Sequence, residues 1–154
     1  MVIRTASMQD IETILSLYNI LFSEMSALQP DRLKSTEQDR DFIVSSVNND
    51  KFHLLVAEDE NGDIKGFSIA QEQKTLPFNC IVPRIYGYVI DLVVSPDARN
   101  LGIGQKLLAG IKRWAQENHY SHLELSVLSK NVDAIRFYAR EGYQEVSRTM
   151  AVAL

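Results

Sequence analysis

The sequence predicts a single α/β domain in which helices flank a mixed β-sheet. The chain has 154 residues, 45% of them hydrophobic, which is the size of one domain with a sizeable core. Apolar runs typical of strands alternate with stretches of helical periodicity, in the order β-α-α-β-β-β-α-β-α-β with room for one more strand at the end. No internal repeat or linker interrupts this order, so we expect residues 1–154 to form one domain.

The N-terminal part predicts one strand and two helices. Residues 2–4 form a short strand, and Ser7 with Asp10 three positions later suits a helix start. This helix ends before Pro30, and a second, weakly amphipathic helix is expected from Ser35. The apolar stripe of the first helix comprises Ile11, Ile14, Leu15, Tyr18, Leu21, Phe22 and Met25.

Three strands are expected next. Residues 52–58 and 64–76 form a hairpin, because Asn61 and Gly62 between them tolerate the positive φ of a tight turn. Residues 85–94 are almost continuously apolar, which is typical of a central strand covered on both faces.

The C-terminal part predicts two helices and their strands. A helix runs from Gly102 to about His119, followed by a strand over residues 123–128. Asn131 caps a short helix that ends at Gly142, and a last strand is expected from Tyr143.

Composition excludes several classes of function. Sixteen Lys and Arg against 20 Asp and Glu give a net charge of −4, which argues against nucleic-acid binding. No run approaches the roughly 18 apolar residues of a membrane span, and no signal-peptide pattern is found. A lone cysteine, Cys80, fits a reducing compartment, so we expect a cytoplasmic protein. His119 and His122 lack a third ligand, so no metal site is predicted.

The segment between the fourth predicted strand and the following helix suits an anion. Backbone N–H groups from about Asn100 to Gly104 are unpaired at a helix start and can converge on a pyrophosphate. Glycine at positions 102 and 104 allows close approach, and Arg99 adds a charged donor. A P-loop is poorly supported because Gln105 separates Gly104 from Lys106. A dinucleotide fingerprint fails because its third glycine position is Leu107.

The motif Arg-x-x-Gly-x-Gly after Val-Val-Ser-Pro, with Asn131 to Tyr138 and Gly142-Tyr143 downstream, resembles the GNAT superfamily of acyl-CoA-dependent N-acetyltransferases. The resemblance implies the GNAT fold and acetyl-CoA as cosubstrate, with Tyr138 as the acid that protonates the departing thiolate. It also implies a cofactor site comprising Leu92, Val93, Val94, Arg99, Asn100, Leu101, Gly102, Ile103, Gly104, Gln105, Asn131 and Tyr138.

The two proton transfers make different demands on the residues. A thiolate of reference pKa about 8.5 can take a proton from a phenol of pKa about 10 held within hydrogen-bond reach. An ammonium acceptor of pKa about 10.4 must first lose its proton, which costs about 4–5 kcal/mol at pH 7. Many relatives carry a glutamate where this chain has Ile90, so Asp91 is the candidate base or amine anchor. The alternative is that Asp91 only hydrogen-bonds buried backbone groups.

The predicted function is direct acetyl transfer from acetyl-CoA to a small-molecule or peptide amine, in a cleft between residues 85–94 and 123–128. The alternative is a non-catalytic acetyl-CoA sensor or scaffold of the same fold, which Ile90 favours. An exposed sheet edge or the last strand offers a surface for a homodimer.

Overall fold

The computed structural model describes all 154 residues as five strands, four helices and two short 3-10 turns. The strands are β1 (Val2–Thr5), β2 (Phe52–Glu58), β3 (Ile64–Lys74), β4 (Ile85–Val94) and β5 (Leu123–Glu124). The helices are α1 (Ile11–Leu28), α2 (Arg40–Val47), α3 (Ile103–Glu117) and α4 (Val132–Arg140), and the 3-10 turns are Met8–Asp10 and Pro96–Ala98. None of the helices combines the length and the apolarity that crossing a membrane requires.

The sheet has the order β1-β2-β3-β4-β5, with β4 and β5 parallel and all other neighbours antiparallel. Side chains alternate between its two faces along β2: Leu54 and Val56 face a core cluster with α1 and α2, whereas Leu55 and Ala57 face a second cluster with α3. The predicted mixed α/β fold is confirmed, although β4 lies second from the edge and β3 occupies the middle.

The first helix starts as predicted, but the second starts later. The Asp10 carboxylate accepts a hydrogen bond from the Ser7 backbone N–H at 2.7 Å, which completes a capping box. The expected start of α2 at Ser35 is wrong, because Asp39 is the N-cap and accepts from the Asp41 N–H at 3.0 Å. The apolar face of α2 begins only after Arg40, so an earlier start would bury nothing.

The two predicted C-terminal strands are shortened or missing. Parallel pairing of β5 with β4 ends at the pair Tyr88 and Glu124, so residues 125–128 lie outside the ladder. The strand expected after Tyr143 is wrong: residues 144–154, which we call the C-terminal tail, pair with no strand of this chain. A strand needs a neighbour for its backbone groups, and this chain supplies none there.

Candidate active site

A β-bulge interrupts the pairing of β4 with β3 at Ile90. Val89 lies opposite Ala70 and Asp91 lies opposite Ile69, so Ile90 has no partner on β3. The bulge reverses the side-chain alternation, since Val89 packs in the second core cluster and Val93, four residues on, in the first.

Beyond the bulge, the outer edge of β4 is uncovered. The ladder with β5 ends at Tyr88, before the bulge, so no strand lies against the outer edge of residues 89–94. The backbone of the three predicted cofactor residues of β4, Leu92 to Val94, follows this edge. The edge of β4 that borders the predicted cleft is therefore free of a neighbouring strand.

The uncapped start of α3 lies at the end of this cleft. No side chain caps the helix, and its first intrahelical bond runs from the Lys106 N–H to the Gly102 carbonyl at 3.1 Å. The N–H groups of Ile103, Gly104 and Gln105 thus have no helical partner, which is the arrangement that favours an anion. The Ile103 side chain is buried, so only its backbone can face a ligand there.

The two glycines of the turn have different structural reasons. Gly102 has φ +77°, and a Cβ there would meet nothing within 4 Å, so backbone conformation alone requires glycine. Gly104 lies under α4, because a Cβ there would meet Phe137 Cζ at 3.4 Å and Leu92 Cδ2 at 3.6 Å. The backbone of Asn100 is also left-handed, with φ 63°. Leu101, which lies between Asn100 and Gly102, is exposed.

Arg99, predicted as a charged donor for phosphate, is engaged with protein groups. Its Nε donates to the Val94 carbonyl at 3.0 Å, and its guanidinium pairs with Glu24 of α1 at 2.8 Å. Both partners are partly exposed, so the ion pair with Glu24 is weak and exchangeable.

Tyr138 lies on α4 and packs against the second core cluster. The helix is capped by Asn131, whose side-chain oxygen accepts from the Ala134 N–H at 3.2 Å and leaves the amide donors of Asn131 available. Tyr138 is half-buried, and its ring packs edge-on against Tyr143 at a centroid distance of 5.6 Å. Burial, together with the negative charge of Asp91, raises the pKa of Tyr138 to about 12.

Asp91 lies on the same strand as the open edge and is held by a tyrosine. The Tyr18 hydroxyl of α1 donates to Asp91 Oδ2 at 2.7 Å. Burial raises the pKa of Asp91 to about 6, and the bond from Tyr18 opposes that shift. At pH 7 the carboxylate is thus mostly ionised but can accept a proton, as a general base requires.

Tyr18 is the site residue that sequence reasoning missed. Its helical spacing placed it in the apolar stripe of α1, and its ring is indeed fully buried, 4.8 Å from Phe67 between centroids. The missed signal was its hydroxyl, which needs a partner when buried. A polar strand residue, Asp91, was the available acceptor on an otherwise apolar strand.

Comparisons with known proteins identify the family of this chain. Residues 14–143 match the family model described as the acetyltransferase (GNAT) family. The chain is 33% identical over 144 residues to an uncharacterized N-acetyltransferase, YhfO, of Bacillus subtilis (strain 168), covering 93% of this chain and 89% of that protein.

Solved structures show the same fold. The crystal structure of a mutant of the BH1408 protein from Bacillus halodurans superposes with a TM-score of 0.95 at 26% identity, covering 100% of this chain and 99% of that one. An aminoglycoside N-acetyltransferase in complex with CoA superposes with a TM-score of 0.75 at 16% identity, covering 99% of this chain and 98% of that one. With a family model that spans most of its length and a relative aligned over 93% of it, this chain belongs to the GNAT family of acetyltransferases.

Proposed function

We propose that this protein transfers an acetyl group from acetyl-CoA directly to a small hydrophilic amine. The observation that carries the proposal is the uncovered edge of β4, which leads towards the uncapped start of α3. An extended chain ending in a pyrophosphate fits this shape, because the strand edge offers backbone groups and the helix start offers converging N–H groups.

These two features support one arrangement of the bound cosubstrate. The backbone of Leu92 to Val94 holds the pantetheine arm, and the N–H groups of residues 100–104 hold the pyrophosphate, with Gln105 at the margin. Arg99 adds its charge by exchanging Glu24 for phosphate, and the free amide donors of Asn131 border the arm. The thioester then lies beside Tyr138 and Asp91.

The reaction takes two protons from the acceptor nitrogen and gives one to the leaving thiolate. The ammonium gives its first proton to Asp91, the neutral nitrogen bonds to the acetyl carbon, the bond from that carbon to sulfur breaks, and the nitrogen loses its second proton to solvent. The departing thiolate takes the proton of Tyr138, which regains one from solvent or from Asp91. The products are the acetylated amine and CoA with a free thiol.

The order of these transfers follows from the pKa values. With Asp91 ionised, the pKa of Tyr138 is about 12, which is roughly 3.5 units above that of a CoA-like thiol. Full transfer of the Tyr138 proton to the thiolate is therefore uphill by about 5 kcal/mol. Burial is the larger cause of the raised pKa of Tyr138 and the negative charge of Asp91 is the smaller one, so protonation of Asp91 lowers that pKa only in part. Loss of the amine proton to Asp91 thus makes Tyr138 a better proton donor than before, at the moment when the thiolate leaves.

A shallow polar concavity on the exposed side of α1 supports a hydrophilic acceptor. It is lined by Asn19, the residue after Tyr18 on α1, and by Ser35, Thr36 and Glu37 of the segment between α1 and α2. No apolar side chain lines it, and Glu37 supplies a negative charge that attracts an ammonium group. We place the approach of the amine to Asp91 along this polar surface.

The test is acetyl-CoA-dependent thiol release with a panel of polyamines, amino acids, aminoglycosides and peptide N-termini, alongside calorimetric acetyl-CoA binding. We expect turnover with at least one hydrophilic amine, and an Asp91→Asn variant that binds acetyl-CoA normally with turnover lowered at least about tenfold.

The same experiment tests the alternative function, a non-catalytic acetyl-CoA sensor. Ile90 favours the sensor because its side chain packs toward the first core cluster and offers no acid to the cleft. Tight binding without turnover across the panel would establish the sensor. Absence of acetyl-CoA binding would overturn both functions.

A further inference from the structure

Asp91 and Tyr138 lie on opposite faces of the sheet. Asp91 accepts its hydrogen bond from Tyr18 of α1, so its carboxylate lies on the face of the first core cluster, which we call the α1 face. Tyr138 packs against the second core cluster, on the other face. An amine that gives its proton to Asp91 therefore lies on the α1 face, and the rest of that amine extends over the same face.

A second carboxylate, that of Glu124 on β5, also points to the α1 face. Leu123 and Leu125 pack against the second core cluster, so the residue between them points the other way. Tyr88 on β4 points to the α1 face for the same reason, because Val89 after it packs in the second core cluster. No residue of β5 belongs to the first core cluster, and Tyr88 and Glu124 are both partly exposed. This part of the α1 face is thus open to a ligand.

The Glu124 carboxylate is held in place but keeps one oxygen free. His122 Nε2 lies 2.9 Å from Glu124 Oε1, and the His122 ring stacks on Tyr86 at a centroid distance of 4.8 Å. Glu124 Oε2 has no hydrogen-bond partner, and Glu124 forms no ion pair with a Lys or Arg side chain. Its side chain is 35% exposed, so the free oxygen can accept a hydrogen bond from an ammonium group.

The strand register fixes the distance between the two carboxylate-bearing residues. Glu124 lies beside Tyr88, which lies opposite Gln71 on β3, whereas Asp91 lies opposite Ile69. Two residue steps along β3 and one strand spacing therefore separate the Cα atoms of Asp91 and Glu124, which gives about 8 Å. Two carboxylates at this separation on one face are complementary to a molecule that carries two positive charges.

The surface beside Glu124 suits a short alkyl chain. The Tyr88 hydroxyl donates to Ser126 Oγ at 3.1 Å, so the Tyr88 ring extends from the level of Glu124 toward that of Ser126. The face of a tyrosine ring accepts methylene groups and attracts a nearby cation. On the β3 side, the side chain of Gln73 donates to that of Gln71 at 3.2 Å, which leaves a polar border.

We propose that Glu124 holds a second ammonium group of the acceptor while the first amino group reacts at Asp91, so that the acceptors are small diamines. This subsite rests on the proposed acetyl transfer for its role but not for its binding. The reacting nitrogen loses its protons and gains the acetyl group as in the proposed reaction, whereas the second nitrogen stays protonated throughout. A monoamine of the same length lacks the contact with Glu124 and is the poorer ligand.

The test compares the calorimetric affinities of pentane-1,5-diamine, pentan-1-amine and ethane-1,2-diamine for the full-length protein in excess CoA. We expect pentane-1,5-diamine to bind at least about fivefold tighter than the other two. Pentan-1-amine lacks the second charge, and ethane-1,2-diamine is too short to bridge two residues about 8 Å apart. Equal affinities of pentane-1,5-diamine and pentan-1-amine would overturn the subsite. So would equal affinities of the two diamines, which would show attraction by charge alone.

Two variants that remove the same charge locate the effect. Glu124→Gln should abolish the preference for pentane-1,5-diamine, whereas Glu60→Gln, at the exposed turn between β2 and β3, should keep it. A preference that persists in Glu124→Gln would overturn the subsite, and the wild-type comparison alone decides should a variant fail to fold.

Thiol release from acetyl-CoA with the same amines tests the proposed function separately. A preference that depends on Glu124 without thiol release would uphold the subsite and contradict the transferase. Thiol release without that preference would uphold the transferase and overturn the subsite.

Discussion

Removal of the Tyr18 hydroxyl should move the acid limb of the activity profile upward. The bond from Tyr18 to Asp91 is 2.7 Å long and stabilises the ionised carboxylate. A hydrogen bond to a charged group contributes roughly 1.5–3 kcal/mol, which equals about 1–2 pKa units. In Tyr18→Phe, the pKa of Asp91 should therefore rise from about 6 to roughly 7–8.

The assay is the pH dependence of kcat/KM with an accepted amine, supported by a carboxyl ¹³C NMR titration of Asp91. At pH 6 the variant should be roughly 5- to 50-fold slower than the wild type, with rates converging above pH 9. Tyr120→Phe is the matched control, because its hydroxyl bonds Glu72 at 3.1 Å and has no contact with Asp91. An unshifted acid limb, with only a loss of thermal stability, would refute the reasoning and leave Tyr18 a packing residue.

Three further substitutions probe separate parts of the account. Because the pKa of Asp91 is raised to about 6 in the folded protein, its contribution to stability is present below pH 4 and lost as the pH rises through 6. In chemical denaturation, the free energy of unfolding of Asp91→Asn minus that of the wild type should therefore be higher at pH 8 than at pH 4, by up to about 3 kcal/mol. An equal difference at both pH values would speak against a buried charge. Gly102→Ala should lower the free energy of unfolding by about 1 kcal/mol in the same assay, because a φ of +77° is strained for any residue with a side chain. An unchanged free energy of unfolding would mean that the turn relaxes. Glu24→Gln frees Arg99 and should tighten acetyl-CoA binding up to about fivefold at low salt, as measured by calorimetry. Glu12→Gln, which removes a separate ion pair of α1, should leave the affinity unchanged. Equal affinities of the two variants would exclude Arg99 as a phosphate donor.

Local patterns carried most of the fold prediction. β2, the hairpin turn at Gly62, β4 and the cap at Asn131 depend on side-chain periodicity and on residues within one turn, so the sequence reveals them directly. The glycine turn before α3 was found in the same way. Its two glycines differ in role only because α4 packs over Gly104, a contact between distant segments.

The features that escaped prediction depend on long-range partners. The bulge at Ile90 is defined by the register with β3, which strand alternation in β4 alone does not reveal. The bond from Tyr18 to Asp91 joins residues 73 positions apart. The strand predicted from Tyr143 has the right sequence pattern but no neighbour in its own chain.

The central claim, acid catalysis at the open edge of β4, is tested most directly by comparing Tyr138→Phe with Tyr143→Phe. The two rings are in contact, but the buried Tyr143 hydroxyl has no hydrogen-bond partner, so its removal should leave kcat unchanged. We predict that Tyr138→Phe lowers kcat about 100-fold or more while the acetyl-CoA Kd stays within about twofold of wild type. An unchanged kcat in Tyr138→Phe, or an equal loss of turnover and acetyl-CoA affinity, would contradict the account.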